Sequence, residues 1–205
     1  MNLEKLKQLE SIFLLRYPLG FVDPELKAIS KKHKVEELKE FVHINFAKEK
    51  FEDPDAISAA FTKLISKSSL VSTFEKVKYK NVSQLFSSED IETLSNALWE
   101  LLYGEQRKGF NQLVLLLAEY DIAKWPILTV LGVYYNGEYE VLVKPTTVKS
   151  VLNYLEVTEF KYTTKPNFDF YFQYRSLIND LKTHTSKTLD VDNGAFCGFL
   201  MITIE

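Results

Sequence analysis

Pro126-Ile127-Leu128-Thr129-Val130-Leu131-Gly132-Val133-Tyr134-Tyr135-Asn136-Gly137-Glu138-Tyr139-Glu140-Val141-Leu142-Val143-Lys144 is the stretch on which the fold turns. Asn136-Gly137 tolerates the positive φ angles of a type I′ turn, and β-branched and aromatic residues flank it on both sides. This predicts a small two-stranded β-hairpin around residues 127–144. A continuous apolar run has no period of its own, however, and the competing reading makes 126–135 a buried helix opened by Pro126, leaving only the second strand.

Outside this stretch the pattern is helical. Leu3, Leu6, Leu9, Ile12 and Phe13 recur at helical spacing until the Pro18–Gly20 turn. Asp23-Pro24 and Asp53-Pro54 each place a capping carboxylate before a proline, which fits the first helical turn because the N–H it lacks has no partner there. Stripes follow at Val35, Leu38, Phe41, Val42 and Phe46, and at Ile57, Ala60, Phe61, Leu64 and Ile65. Ser87-Ser88-Glu89-Asp90 resembles a capping box, with Gly104 as the stop of its helix. Phe110, Leu113, Val114 and Leu117 mark a further helix. Pro145 opens a short one through Val148, Val151 and Leu152, and a longer one after Pro166 carries Phe170, Tyr174, Leu177, Ile178 and Leu181. The end of the chain, 192–205, fits a helix capped by Asp192 better than a strand. The expected fold is mainly α, a multi-helix globular domain over 1–205 with one small hairpin; a two-lobed body would divide near 104–125.

The 46% hydrophobic and 26% charged composition of the 205 residues is that of a chain able to bury a core, not of a disordered one. A single cysteine, Cys197, permits no intramolecular disulfide and too few thiolates for a zinc site, which favours a reducing, cytoplasmic setting. The apolar runs are shorter than the roughly 20 residues of a membrane helix, so no span is expected.

Ser66–Lys76, Ala123–Thr129 and Val141–Lys149, with the Arg16-Tyr17-Pro18 turn and the Ala195–Met201 end, carry a resemblance. On these segments the chain resembles a family of bacterial cytoplasmic proteins of similar length with no assigned activity. The resemblance implies a bacterial cytoplasmic origin and no chemistry.

The residues offer little catalytic apparatus. The seven glycines form no phosphate loop, and no Gly-x-Ser-x-Gly elbow occurs. His33, His43 and His184 lack a second histidine or a cysteine at ligand spacing. Glu138, Glu140 and Lys144 share one face of the expected second strand but miss the carboxylate–lysine spacing of a metal-dependent nuclease, and an exposed hairpin face accounts for them. Cys197, between Phe196 and Phe199, fits a small core residue.

The constellation that points to a ligand is cationic. Lys63, Lys67, Lys76, Lys78 and Lys80 face Glu75 alone between 63 and 80, interleaved with Ser66, Ser68, Ser69 and Tyr79. Lysines attract phosphates, hydroxyls add oriented bonds and an aromatic stacks on a base. Residues 1–80 hold 15 basic and 12 acidic side chains against 10 and 16 in 81–205, so positive charge is concentrated in the first part of a chain whose net charge is −3. Lys144, Thr146, Thr147 and Lys149 surround a second anion-favouring feature, a helix start beyond Pro145. The plainer readings are a solvated edge for the alternating Lys76, Lys78 and Lys80, and a proline-started, threonine-capped helix at 145. The sequence thus favours a non-catalytic binding protein without a cofactor or metal, engaging nucleic acid or another phosphate-bearing ligand through Lys63, Lys67, Ser68, Ser69, Lys76, Lys78, Tyr79, Lys80, Lys144, Thr146, Thr147 and Lys149. The alternatives are a protein-interaction or homo-oligomeric scaffold, suggested by the aromatic-rich Phe168–Tyr174 segment, and a hydrolase or nuclease assembled from dispersed residues.

Overall fold

The computed structural model describes residues 1–204, which form eleven α-helices and three short 3-10 helices, with no strand among the described residues. The helices are α1 Leu3–Arg16, α2 Pro24–Lys32, α3 Val35–Asn45, α4 Pro54–Lys67, α5 Thr73–Ser83, α6 Ser88–Tyr103, α7 Gln106–Glu119, α8 Trp125–Tyr135, α9 Pro145–Tyr154, α10 Phe168–Thr183 and α11 Asn193–Ile204. Buried side chains from Leu6 to Leu200 make one connected core. None of the helices is long and apolar enough to cross a membrane.

The local start signals act as their chemistry dictates. Asp23 accepts from the Glu25 N–H at 3.0 Å and Asp53 from the Ala56 N–H at 3.0 Å, each with proline in the first turn. Ser87 and Asp90 close a reciprocal capping box, and Asp192 accepts from the Ala195 N–H to open α11.

The hairpin does not form. Residues 125–135 are α8, and nine of its eleven residues are buried, which makes it the central, all-round apolar helix of the core. β-Branched residues cost a helix less than about 0.7 kcal/mol each, whereas burying one Val, Leu or Ile contributes about 1.5–3 kcal/mol. Burial therefore decides against strand preference. Asn136 ends the helix with φ −139°, donating its N–H to the Gly132 carbonyl, and so lacks the positive φ of a type I′ turn.

The second strand is absent too. Segment 137–143 is unpaired, and helices α10 and α11 supply what a neighbouring strand would have given it. Lys182 Nζ donates to the Glu138 carbonyl, the Asn179 and Asn193 amides both donate to that of Tyr139, and the Asn193 N–H donates to that of Gly137. The Thr129 hydroxyl accepts from the Val143 N–H at 3.1 Å. The Tyr139 and Glu140 N–H groups donate to the Asn136 carbonyl, so a local turn and side chains from other helices together provide the partners that buried backbone groups need.

Helices α6 and α7 form the most extensive pair. Their approach depends on Gly109, where a Cβ would stand 2.5 Å from the Ala97 carbonyl oxygen and 2.6 Å from the Leu101 nitrogen. Helix α4 packs on α3, α5, α6 and α8, whereas α9 packs chiefly on α11.

Candidate functional site

The cationic segment 63–80 is divided between two helices that face different neighbours. Lys63 and Lys67, on α4, turn towards α3: Lys63 Nζ lies 5.2 Å from the centre of the Phe41 ring and Lys67 is 3.9 Å from the Glu37 carboxylate. Glu40 of α3 lines the same groove as Glu37 and Lys67, so local acids offset Lys67. Ser68 is fully buried, hydrogen-bonded to the Tyr134 hydroxyl at 3.0 Å, while Ser69 is exposed.

Residues 76–80 are helical, not the edge of a sheet. Ser72 and Glu75 form a capping box that opens α5. Tyr79 cannot stack on a base. It is wholly buried, edge-on to Phe61 and Phe86, its hydroxyl lies near Thr62 without a well-formed hydrogen bond, and burial pushes its pKa upward. Lys78 is tied to the Asp121 carboxylate at 2.6 Å and to the Asp121 carbonyl at 2.8 Å. Lys76 and Lys80 make no ion pair among the described residues.

With Tyr79 inward, helical geometry turns Phe74 and Val77 outward, flanked by Lys78 on one side and Lys80 on the other. Phe74 is 75% exposed, the most exposed aromatic side chain among the described residues, and Val77 and Leu85 are exposed as well. Phe74 was missing from the sequence-derived set. Its signal was the Ser72-x-x-Glu75 box, which fixes the helical phase and assigns Phe74 and Tyr79 to opposite faces.

The second cationic feature stands apart. Lys144 precedes α9 as its N-cap residue, but neither Thr146 nor Thr147 caps the helix. Thr146 is exposed, Thr147 is buried, and Lys149 lies 5.0 Å over the Tyr162 ring. Helix α9 packs chiefly on α11, whereas α4 and α5 pack on each other.

A buried polar cluster appears where an exposed strand face was expected. Glu140 is buried, and its carboxylate accepts from Arg175 Nη1 at 2.8 and 2.9 Å, from Gln106 Nε2 at 2.7 Å and from the Tyr171 hydroxyl. Arg175, 3% exposed, also donates to Gln106 Oε1 at 2.7 Å and lies 4.4 Å from the Tyr139 ring centre. Burial disfavours the guanidinium charge, yet Glu140 outweighs it and raises the Arg175 pKa. Burial, reinforced by Glu140, holds the Tyr171 phenol well above its ordinary value. Gly132 makes room for Glu140, since a Cβ there would stand 3.3 Å from that of Glu140. Beside the cluster lies a cavity of about 90 Å³.

The remaining candidates keep structural roles. Cys197 is buried, with its thiol pushed up to about 12 by burial, and the Tyr174 hydroxyl sits 3.9 Å away. His33 is the exposed C-cap of α2, and the His43 ring lies tilted against that of Tyr135, 4.9 Å between centres.

No family model matches this chain, and neither a curated protein nor a solved structure matches it, so the resemblance drawn from its segments gains no support there.

Proposed function

We propose that this protein is a non-catalytic binding protein that engages single-stranded nucleic acid through the outer face of α5. The observation that carries the reading is Phe74, three-quarters exposed beside Val77 and between lysines. An outward phenyl ring contributes nothing to the core, but it offers a flat face for a base while neighbouring ammonium groups meet phosphates. Lys78 and Lys80, which flank Phe74 and Val77, are the cations within reach of such a strand, with Lys78 sharing its charge with Asp121; Lys76 lies nearer the buried Tyr79 side of the helix. Lys63, Lys67, Lys144 and Lys149 face other neighbours and lie outside the proposed surface.

The test is fluorescence anisotropy with a labelled oligothymidylate at low and rising salt. Binding should weaken as salt rises, because each phosphate contact releases counterions. Phe74→Ala should weaken it by about fivefold to a hundredfold, the worth of one stacked base. Lys80→Glu should flatten the salt dependence. Absence of binding at low ionic strength refutes the reading.

A second reading, self-association, is favoured by a different observation. Ile12, Leu15, Leu19 and Val22 are all more than half exposed near the end of α1, Leu15 by 83%. Such a patch is a feature of contact surfaces. Sedimentation equilibrium tests it, with Leu15→Lys expected to dissociate any dimer.

A further inference from the structure

The Glu140 cluster plays no part in the α5 surface, and its hydrogen bonding leaves something unfilled. Arg175 Nη1 has two hydrogens, and three oxygens lie within 2.9 Å of it: Gln106 Oε1 and both oxygens of Glu140. Gln106 Nε2 and the Tyr171 hydroxyl add one proton each. A carboxylate has about four acceptor sites and an amide oxygen two. Acceptor capacity therefore exceeds the donors supplied, and Glu140 and Gln106 both line the cavity of about 90 Å³.

Leu102, Phe110, Leu128 and Leu131 form the apolar part of the wall, and Thr129 and Tyr171 add polar groups beside Glu140 and Gln106. Leu102 and Tyr135 are only partly buried and Asn136 is exposed, which places the opening at their side of the cavity. Charge restricts the occupant further. Glu140 and Arg175 neutralise each other, so an ion would lose its hydration here without a counter-charge. Size restricts it again. A 150 Å³ cavity holds benzene, so one of 90 Å³ holds about four heavy atoms.

We propose that this cavity is a binding site for a small neutral molecule with one hydrogen-bond donor on a short alkyl body, a short-chain alcohol or primary amide. Its O–H or N–H donates to the open acceptor capacity of Glu140 or Gln106, and its alkyl part lies against the leucines. The inference does not depend on nucleic-acid binding by α5.

Two isomers separate the donor from mere size. n-Propanol and methyl ethyl ether have the same atoms, but only the alcohol can donate. Titrating each into protein with ¹³C-labelled leucine methyls should give saturable shifts at Leu102, Leu128 and Leu131 with propanol, and roughly fivefold weaker binding of the ether, the worth of one hydrogen bond. Leu102→Phe, which fills the partly exposed side, should abolish the propanol shifts while leaving oligothymidylate binding unchanged. Linear, non-saturating shifts would overturn the proposal, as would equal affinity for the two isomers. Both results are read on the unmodified protein, so the test survives if the variant fails to fold.

Discussion

Replacing Glu140 with methionine should destabilise the protein by about 3–5 kcal/mol, the cost of stranding one member of a buried ion pair. The structure puts this substitution at the upper end of single-residue effects. Arg175 is 3% exposed and has no other anion within hydrogen-bonding distance. The Tyr171 hydroxyl and Gln106 Nε2 would lose their acceptor at the same time. For a chain of this size each kcal/mol moves Tm by about 2–4 °C, so a fall of roughly 10 °C is expected. Arg175→Met alone should also destabilise, by leaving the carboxylate unpaired. The double variant removes both charges and should be clearly more stable than the sum of the single losses implies, with a coupling of about 2 kcal/mol or more. Urea unfolding of the four proteins with a shared m-value measures the cycle. If Glu140→Met costs less than about 1 kcal/mol, or if the single effects add, the pair is solvated and the reasoning fails.

Gly109→Ala should cost about 2 kcal/mol or more, because its Cβ would meet the α6 backbone at 2.5 Å, and urea unfolding reads the loss. Tyr79→Phe should be neutral or stabilising by about 1 kcal/mol, since it removes a buried hydroxyl that lacks a well-formed hydrogen bond. Burial opposes the charge of Glu10, but Lys7 and the Ser186 N–H outweigh it and lower its pKa below the ordinary carboxylate value. Its contribution is therefore present above the unfolded-state pKa and is lost as pH falls through the lowered folded-state value. Glu10→Gln should destabilise at pH 7, and thermal melts should show that difference shrinking as the solution is acidified below about pH 4.

Much of the helical plan is written locally. Asp23-Pro24, Asp53-Pro54 and Ser87-x-x-Asp90 act through atoms within three residues of one another, so each can be recognised without knowing what surrounds it. The 126–144 stretch is the opposite case. Asn-Gly and a run of β-branched residues express small local preferences, and a central position in the core overrides them. Three lysines at alternate positions imitate a strand edge because any short helix also has alternate positions; the Ser72 capping box was the better guide. The pairing of Glu140 with Arg175 could not be read, because 35 residues separate the partners. A hint lay in α10, where Arg175 stands one turn beyond Tyr171 on the flank of a stripe that also holds Tyr174 and Ile178.

Segment 137–143 takes its hydrogen bonds from Asn179, Lys182 and Asn193, residues 40 to 54 positions further along the chain. A polypeptide emerging from the ribosome has made this segment long before it has made those partners. Its carbonyls must remain hydrated until α10 and α11 arrive. The loop after the central helix thus takes its place only once α10 and α11 have been made, although α3, α4 and α7, on which α8 packs, precede it in the chain.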